Sequence, residues 1–159
     1  MKTIVLFARR NTGLYCLSHL WALGYDVKVV TDDRDIADTA KMYGCEIVST
    51  DKMGSFDLVL SVHWHKIIPT YLFKRKPAVN IHPCLFKYKG HDPVRRHIDN
   101  KDTVGSVAAH YMTDTVDEGE LINEYLFETG VCKSYGEFYN VAFFYYYKTI
   151  NKVLKTVFK

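Results

Sequence analysis

Short apolar segments alternate with helix-like segments through the first sixty residues, and this alternation restricts the possible folds more than any other feature. Residues 4–8 are a continuous apolar run, which predicts a buried strand. Residues 12–23 have the pattern of a helix that ends before Gly24, and residues 26–31 predict a second strand. Strand, helix and strand in this order begin a parallel sheet. We therefore expect an α/β fold with a Rossmann-like, mostly parallel twisted sheet and flanking helices.

The remaining chain continues the alternation without a repeat or a linker. Helices are expected over residues 35–43, from Pro93 with Asp92 as its cap, and over 134–158; strands are expected over residues 46–49, 56–62, 106–112 and 121–127. The chain has 159 residues, of which 48% are hydrophobic. This is enough for one core, so we expect a single domain over residues 1–159.

Composition excludes several functional classes. The net charge is +3, with 21 basic and 18 acidic residues, and predicts no broad nucleic-acid surface. The four cysteines are widely spaced, which favours free thiols in a reducing compartment over a disulfide framework. No apolar run reaches 18 residues, so no membrane partner is expected. Together these features predict a cytoplasmic protein.

Two short motifs suggest the chemistry. Asn80-Ile81-His82 closes one predicted strand and Asp117-Glu118-Gly119 follows another. When an amine attacks a carbonyl carbon, negative charge develops on oxygen and positive charge on nitrogen. Asn80 and a protonated His82 can stabilise the oxyanion, while Asp117 holds His82 protonated or relays the proton of the amine. Residues 80 and 82 share one side of an extended segment. This combination suits acyl transfer to an amine.

Two other interpretations use the same residues. A single Asn-x-His at a strand end and an Asp-Glu-Gly sequence are both common in polar turns. His63 and His65 can share a face and, with His82 or His110, form a zinc site. Because no carboxylate or cysteine has a spacing that completes such a site, we expect no metal.

The order of the motifs resembles the formyltetrahydrofolate-dependent formyltransferase family, nearest to the sugar N-formyltransferases or glycinamide ribonucleotide transformylase. The matching elements are Asn80-Ile81-His82-Pro83, Gly90, the segment 105–110 and Asp117-Glu118-Gly119. Cys84-Leu85-Phe86-Lys87 stands where the family usually has Ser-Leu-Leu-Pro. The resemblance implies the formyltransferase fold, 10-formyltetrahydrofolate as formyl donor, and Asn80, His82 and Asp117 as catalytic residues.

The resemblance also implies further site residues. The residues expected around the folate are His63, Trp64, Ile67, Val116 and Glu118. His110 and Gly90 are expected to support the catalytic groups, although His110 also fits a packed core histidine.

Candidate acceptor-binding residues lie on two segments. Arg9, Arg10 and Asn11 follow the first strand at a helix N-terminus, where they either bind a phosphate or are solvated. Asp92 and Arg95 either bind a sugar hydroxyl or phosphate, or serve as a helix cap and a surface charge.

The acceptor itself is expected to be a small amine that is phosphorylated or linked to a nucleotide. Pro83, Tyr88, Gly90 and Pro93 resemble relatives that act on amino-sugar nucleotides, which we favour over glycinamide ribonucleotide. The chain ends at Lys159, so the extra domain of relatives that formylate transfer RNA is not expected. Hydrolysis of the donor and a non-catalytic folate- or nucleotide-binding module are the alternatives.

The C-terminal segment predicts a long aromatic helix. Ser134 and Glu137 form a capping-box pattern, and the expected buried stripe consists of Phe138, Val141, Ala142, Tyr145, Ile150, Val153 and Leu154. Further aromatic residues at positions 139, 143, 144, 146 and 147 exceed what one face can bury. They predict a homodimer interface, with a monomer as the alternative.

Overall fold

The first half of the chain is a parallel β-α-β structure, as expected. The structure is a computed structural model that describes all residues 1–159. Met1–Asn80 forms one of two compact units. Its elements are β1 (Thr3–Ala8), α1 (Arg10–Ala22), β2 (Asp26–Val30), α2 (Arg34–Met42), β3 (Glu46–Ile47), β4 (Leu58–Val62) and a 3-10 helix over Thr70–Leu72. Strand β1 pairs in parallel with β2 and β4, and β2 pairs in parallel with β3.

The apolar run that predicted β1 is the centre of this unit. Residues 4–8 are completely buried, and β4 is buried along its whole length. Helix α1 begins two residues earlier than expected, with extended Arg9 as its N-cap and no side-chain capping bond. Gly24 has a left-handed φ of 80° just after this helix, as expected for a C-terminal glycine.

The second unit, Ile81–Lys159, combines an antiparallel strand pair with two helices. Strand β5 (Ala78–Pro83) contains the boundary between the units, and is followed by α3 (Pro93–Asp99), β6 (Val104–Tyr111), β7 (Leu121–Glu128) and α4 (Tyr135–Val157). The register of β6 and β7 shifts between Ala109 and His110, where one strand has an extra residue.

Helix α4 packs one face against β6 and β7. Its buried residues are Phe138, Ala142, Tyr146, Thr149, Ile150, Val153 and Leu154. The prediction was wrong for Val141, which is 36% exposed because it lies about 120° around the helix from the centre of this face. It was also wrong for Tyr146, which was expected outside the buried stripe but is 1% exposed. Ser134 caps the helix by accepting the Glu137 N–H, whereas the Glu137 carboxylate accepts the N–H of Lys133 instead of that of the cap.

All seven strands belong to one sheet, in the order β3-β2-β1-β4-β5-β6-β7. The strand pairs of the first unit are parallel and the β6–β7 pair is antiparallel. The predicted α/β class with a mostly parallel sheet is therefore confirmed. None of the helices is long and apolar enough to cross a bilayer.

Candidate active site

Strand β5 carries the Asn-x-His motif. Asn80 is half-buried and His82 is 6% exposed. The two residues are separated by one position on an extended strand, so their side chains leave the same face of the sheet. His82 is next to the last residue of the strand, and Asn80 lies one strand repeat before it.

The imidazole of His82 is surrounded by acceptor oxygens. Its Nδ1 lies 2.8 Å from the carbonyl oxygen of Pro83. Its Nε2 lies 3.1 Å from Oδ2 of Asp117 and 3.3 Å from the carbonyl oxygen of Gly90. Carbonyl and carboxylate oxygens only accept hydrogen bonds, so the ring satisfies both sides when both nitrogens carry a proton.

A second imidazole approaches the other oxygen of the same carboxylate. His110 is 2% exposed, and its Nε2 lies 3.3 Å from Oδ1 of Asp117. Its Nδ1 lies 3.0 Å from the carbonyl oxygen of Tyr111. The register shift at Ala109 and His110 re-aims the strand at this point, a common role of bulges near active sites.

Asp117 is the common partner of both rings. It is 8% exposed, and its Oδ2 also accepts the Gly90 N–H at 2.7 Å. Burial opposes its ionisation, but the hydrogen bonds from His110, His82 and the Gly90 amide outweigh burial and hold the pKa of Asp117 well below its usual value. The group is therefore a carboxylate throughout the physiological pH range.

The turn that presents Asp117 is sterically constrained. Asp117 has a left-handed φ of 58°, a conformation that non-glycine residues seldom adopt and that recurs at functional sites. A Cβ on Gly119 would overlap the carbonyl group of Tyr111. Only glycine therefore fits two residues after the carboxylate.

The candidate residues of the first unit fall into two groups. Arg9 forms an ion pair with Asp32 at 3.0 Å, and the backbone N–H of Arg10 binds Asp33. Asn11 is exposed and makes no capping bond. The other group lies after β4 and consists of His63, Trp64 and Ile67. His63 has a left-handed φ of 55°, and the ring of Trp64 contacts the ring of Phe7. Ile67 is 89% exposed.

The remaining candidates lie in the second unit. Asp92 is the N-cap residue of α3, as expected, but it has a left-handed φ of 52° and its side chain makes no capping bond. The side chain instead accepts a hydrogen bond from the hydroxyl of Tyr135 at 2.9 Å. Arg95 pairs with Asp99 at the surface. Val116 is 71% exposed, and Glu118 forms an ion pair with Lys89 at 2.8 Å. No group of three or more histidine, cysteine or acidic side chains is arranged to hold a metal ion.

Comparison with known proteins defines the class. Residues 19–133 match the formyl transferase family model. The chain belongs to the formyl transferase family. A methionyl-tRNA formyltransferase of Borrelia hermsii is 30% identical over 107 residues, which cover 65% of this chain and 35% of that protein. A second methionyl-tRNA formyltransferase, from Helicobacter acinonychis, is 36% identical over 67 residues, 42% of this chain and 22% of that protein. The chain thus spans about a third or less of these relatives.

Solved structures share the fold. Phosphoribosylglycinamide formyltransferase from Streptococcus pneumoniae superimposes with a TM-score of 0.79 at 21% identity, covering 100% of both chains. An N-formyltransferase from Helicobacter canadensis, in complex with folinic acid and dTDP-3-aminofucose, gives a TM-score of 0.80 at 17% identity, covering 99% of this chain and 65% of that one. These similarities confirm the predicted formyltransferase fold.

Proposed function

We propose that this protein transfers a formyl group from 10-formyltetrahydrofolate to the primary amine of a small acceptor, with an amino-sugar nucleotide as the favoured acceptor. The observation that carries the proposal is the buried carboxylate of Asp117, which lies between the Nε2 atoms of two histidines. Such a carboxylate can hold an imidazole protonated while charge develops on a substrate.

The proposed reaction has two steps. The amine nitrogen attacks the formyl carbon, the carbonyl π bond becomes an oxyanion, and Asn80 and His82 stabilise that oxygen. The oxyanion then re-forms the carbonyl, the bond from carbon to N10 of the folate breaks, and the proton lost by the amine passes to N10. His82 relays this proton, and Asp117 assists by holding the ring in place.

The geometry of His82 indicates how an oxyanion would reach the ring. Both ring nitrogens already have partners, and the contact from Nε2 to the Gly90 carbonyl, at 3.3 Å, is the longest of the three. An oxyanion is a stronger acceptor than a carbonyl and would replace Gly90 at Nε2, while Asp117 stays in place. Asn80 would donate through its amide from two positions earlier on the same strand.

Charge distribution supports an anionic acceptor. The sequence contains no acidic residue between Asp57 and Asp92. This segment has six lysine and arginine residues, all of them exposed: Lys66, Lys74, Arg75, Lys76, Lys87 and Lys89. Arg9, His65 and Lys66 also surround the single carboxylate of Asp32, at 3.0, 3.4 and 3.2 Å. This cluster keeps excess positive charge after the carboxylate of Asp32 is neutralised, and excess positive charge attracts anions. We therefore assign Arg9, Arg10 and Asn11 to binding a phosphate of the acceptor.

Methionyl-tRNA is a second candidate acceptor. The curated relatives named above are methionyl-tRNA formyltransferases. The exposed basic residues between Asp57 and Asp92 would suit a polynucleotide as well as a nucleotide.

The expected folate contacts complete the proposal. We assign contacts with the folate to His63, Trp64 and Ile67 in the first unit and, separately, to Val116 and Glu118 in the turn around Asp117. We place the reaction in the cytoplasm, where the four free cysteines would remain reduced. A second copy of the chain is the expected partner of α4, on which Phe144 is 62% exposed.

The test measures loss of the formyl group from 10-formyltetrahydrofolate, first without acceptor and then with amino-sugar nucleotides, glycinamide ribonucleotide and methionyl-tRNA in turn. Turnover that requires one acceptor identifies the transferase and its substrate. Turnover without any amine would instead identify a hydrolase. Binding of the folate without turnover would identify a binding module and refute the proposed activity.

A further inference from the structure

The loop between His82 and Gly90 is held by a network that the proposed chemistry does not use. Its centre is Asp102, whose side chain is 14% exposed. Oδ1 of Asp102 accepts a hydrogen bond from Nζ of Lys87 at 2.6 Å, and Oδ2 accepts one from the hydroxyl of Tyr88 at 2.6 Å. The amide of Asn100 donates to the same hydroxyl at 2.6 Å. One carboxylate therefore fixes two consecutive residues of the loop.

The loop ends at a residue that contacts both members of the candidate catalytic pair. Gly90 donates its N–H to Asp117 at 2.7 Å, and its carbonyl oxygen lies 3.3 Å from Nε2 of His82. Gly90 has a φ of +78°, and no atom lies within 4 Å of the place where a Cβ would be, so packing around a side chain does not fix its position. Its position depends on the residues that anchor the loop before it.

We infer that Asp102 is a positioning residue: by binding Lys87 and Tyr88 it places Gly90 so that the glycine's N–H and carbonyl oxygen contact Asp117 and His82. The inference rests on the proposed formyl transfer for its catalytic consequence, but not for the geometry. Burial opposes ionisation of Asp102, and the bonds from Lys87 and Tyr88 outweigh it and keep its pKa below the usual value. Asp102 thus remains a charged acceptor at neutral pH.

Other anchors surround the loop but hold it at different points. The N–H of Phe86 binds Glu124 at 2.9 Å, and the guanidinium of Arg96 binds the carbonyl of Lys89 at 2.6 Å. At the beginning of the loop, the thiol of Cys84 lies 3.9 Å from Nδ1 of buried His97. The contacts of Phe86 and Arg96 do not involve Asp102, whereas Nδ1 of His97 also lies 4.0 Å from Oδ2 of Asp102. Because the first two contacts remain when Asp102 is replaced, we expect the variant to keep its loop but to lose the precise placement of Gly90.

Asp102→Asn and Tyr88→Phe test the inference, with Asp57→Asn as the matched control. Like Asp102, Asp57 pairs with a lysine, and in addition it accepts a backbone N–H. Asp57 lies in the first unit and touches neither the loop nor the candidate site. The first readout is hydrogen exchange of the Gly90 amide, measured by NMR, which requires no turnover. Since Gly90 is exposed, its amide is protected mainly by its bond to Asp117.

In Asp102→Asn we expect exchange of the Gly90 amide to accelerate about tenfold relative to neighbouring strand amides. We also expect kcat for formyl transfer to fall about tenfold, while KM stays within about threefold of the wild-type value. Tyr88→Phe should show the same changes at smaller size, and it keeps the test valid if Asp102→Asn does not fold. Asp57→Asn should lose stability and leave both quantities at the wild-type level.

Gly90 exchange at the wild-type rate in both loop variants would overturn the inference, as would equal acceleration in the Asp57→Asn control. A wild-type protein without formyl transfer would refute the proposed function alone, because the exchange measurement still tests the placement of Gly90.

Discussion

Replacing Asp117 with asparagine tests the central carboxylate of the candidate site. In the wild type this carboxylate accepts hydrogen bonds from two imidazoles and one amide N–H. An asparagine has one acceptor oxygen and no charge. Its oxygen can still accept from Gly90 and from one histidine, while its NH2 group faces the other histidine and cannot accept, so one histidine bond is lost and the other loses its ionic character. A hydrogen bond to a charged group contributes about 1.5–3 kcal/mol, compared with about 1 kcal/mol for a neutral bond. With one such bond lost and the other weakened, the variant should lose about 2–5 kcal/mol of unfolding free energy.

The loss should depend on pH in a defined direction. The pKa of Asp117 is lowered in the folded protein, so its contribution to stability is fully present above the usual carboxyl pKa of about 4. The contribution declines as the pH falls below this value toward the folded-state pKa. The difference in stability between wild type and Asp117→Asn should thus shrink as the pH falls below about 4.

Urea unfolding at a series of pH values measures this difference. Asp114→Asn is the control, because Asp114 is an exposed carboxylate of the same turn. In the formyl-transfer assay, Asp117→Asn should lower turnover about a hundredfold or more, equivalent to about 2.7 kcal/mol in the barrier. Equal stabilities of the wild type and Asp117→Asn at pH 7, or a difference that grows in acid, would refute the assigned role of the carboxylate.

Three further predictions concern the frame of the site. Gly119→Ala should prevent accumulation of folded protein because the added Cβ overlaps the Tyr111 carbonyl. Gly130→Ala places its Cβ in open space and should yield folded protein with a modestly lower melting temperature. Expression level and thermal unfolding compare the two variants. Phe138→Ala should cost about 3–5 kcal/mol in urea unfolding because Phe138 is completely buried, and the partly exposed Val141→Ala should cost clearly less. Burial raises the pKa of the Cys84 thiol to about 11, so iodoacetamide should modify Cys84 at pH 7.5 only after denaturation, as mass spectrometry of the labelled peptides would show.

The parts of the fold that follow from local sequence agree with the prediction. A continuous apolar run identified β1 because a strand buried on both faces needs apolar residues at every position. The C-terminus of α1 was predictable because Gly24 adopts a conformation that suits glycine. These features depend on neighbours in the sequence and require no knowledge of distant contacts.

The parts that depend on distant contacts were not predictable. Asp92 has the residue type and position of a helix cap, but its side chain binds Tyr135, which is 43 positions away. Asp102 lies in Asn100-Lys101-Asp102, a sequence that indicates an ordinary polar turn. Gly90 was expected to support the catalytic groups because of the family resemblance. Its contacts are made by its backbone N–H and carbonyl, which do not depend on residue type, so the sequence did not reveal how it does so.

The spacing of the site residues along the chain determines the order in which the site can form during folding. The residues concerned are His82, Gly90, His110 and Asp117. His110 and Asp117 are seven positions apart and lie on a strand and the turn that follows it, whereas His82 and Asp117 are separated by 35 positions. The chain entropy of closing a loop grows with the logarithm of its length, so the longer closure costs about 1.4 kcal/mol more than the shorter one. The pairing of His110 with Asp117 can therefore precede the arrival of His82, which would complete the site as one of its last long-range contacts.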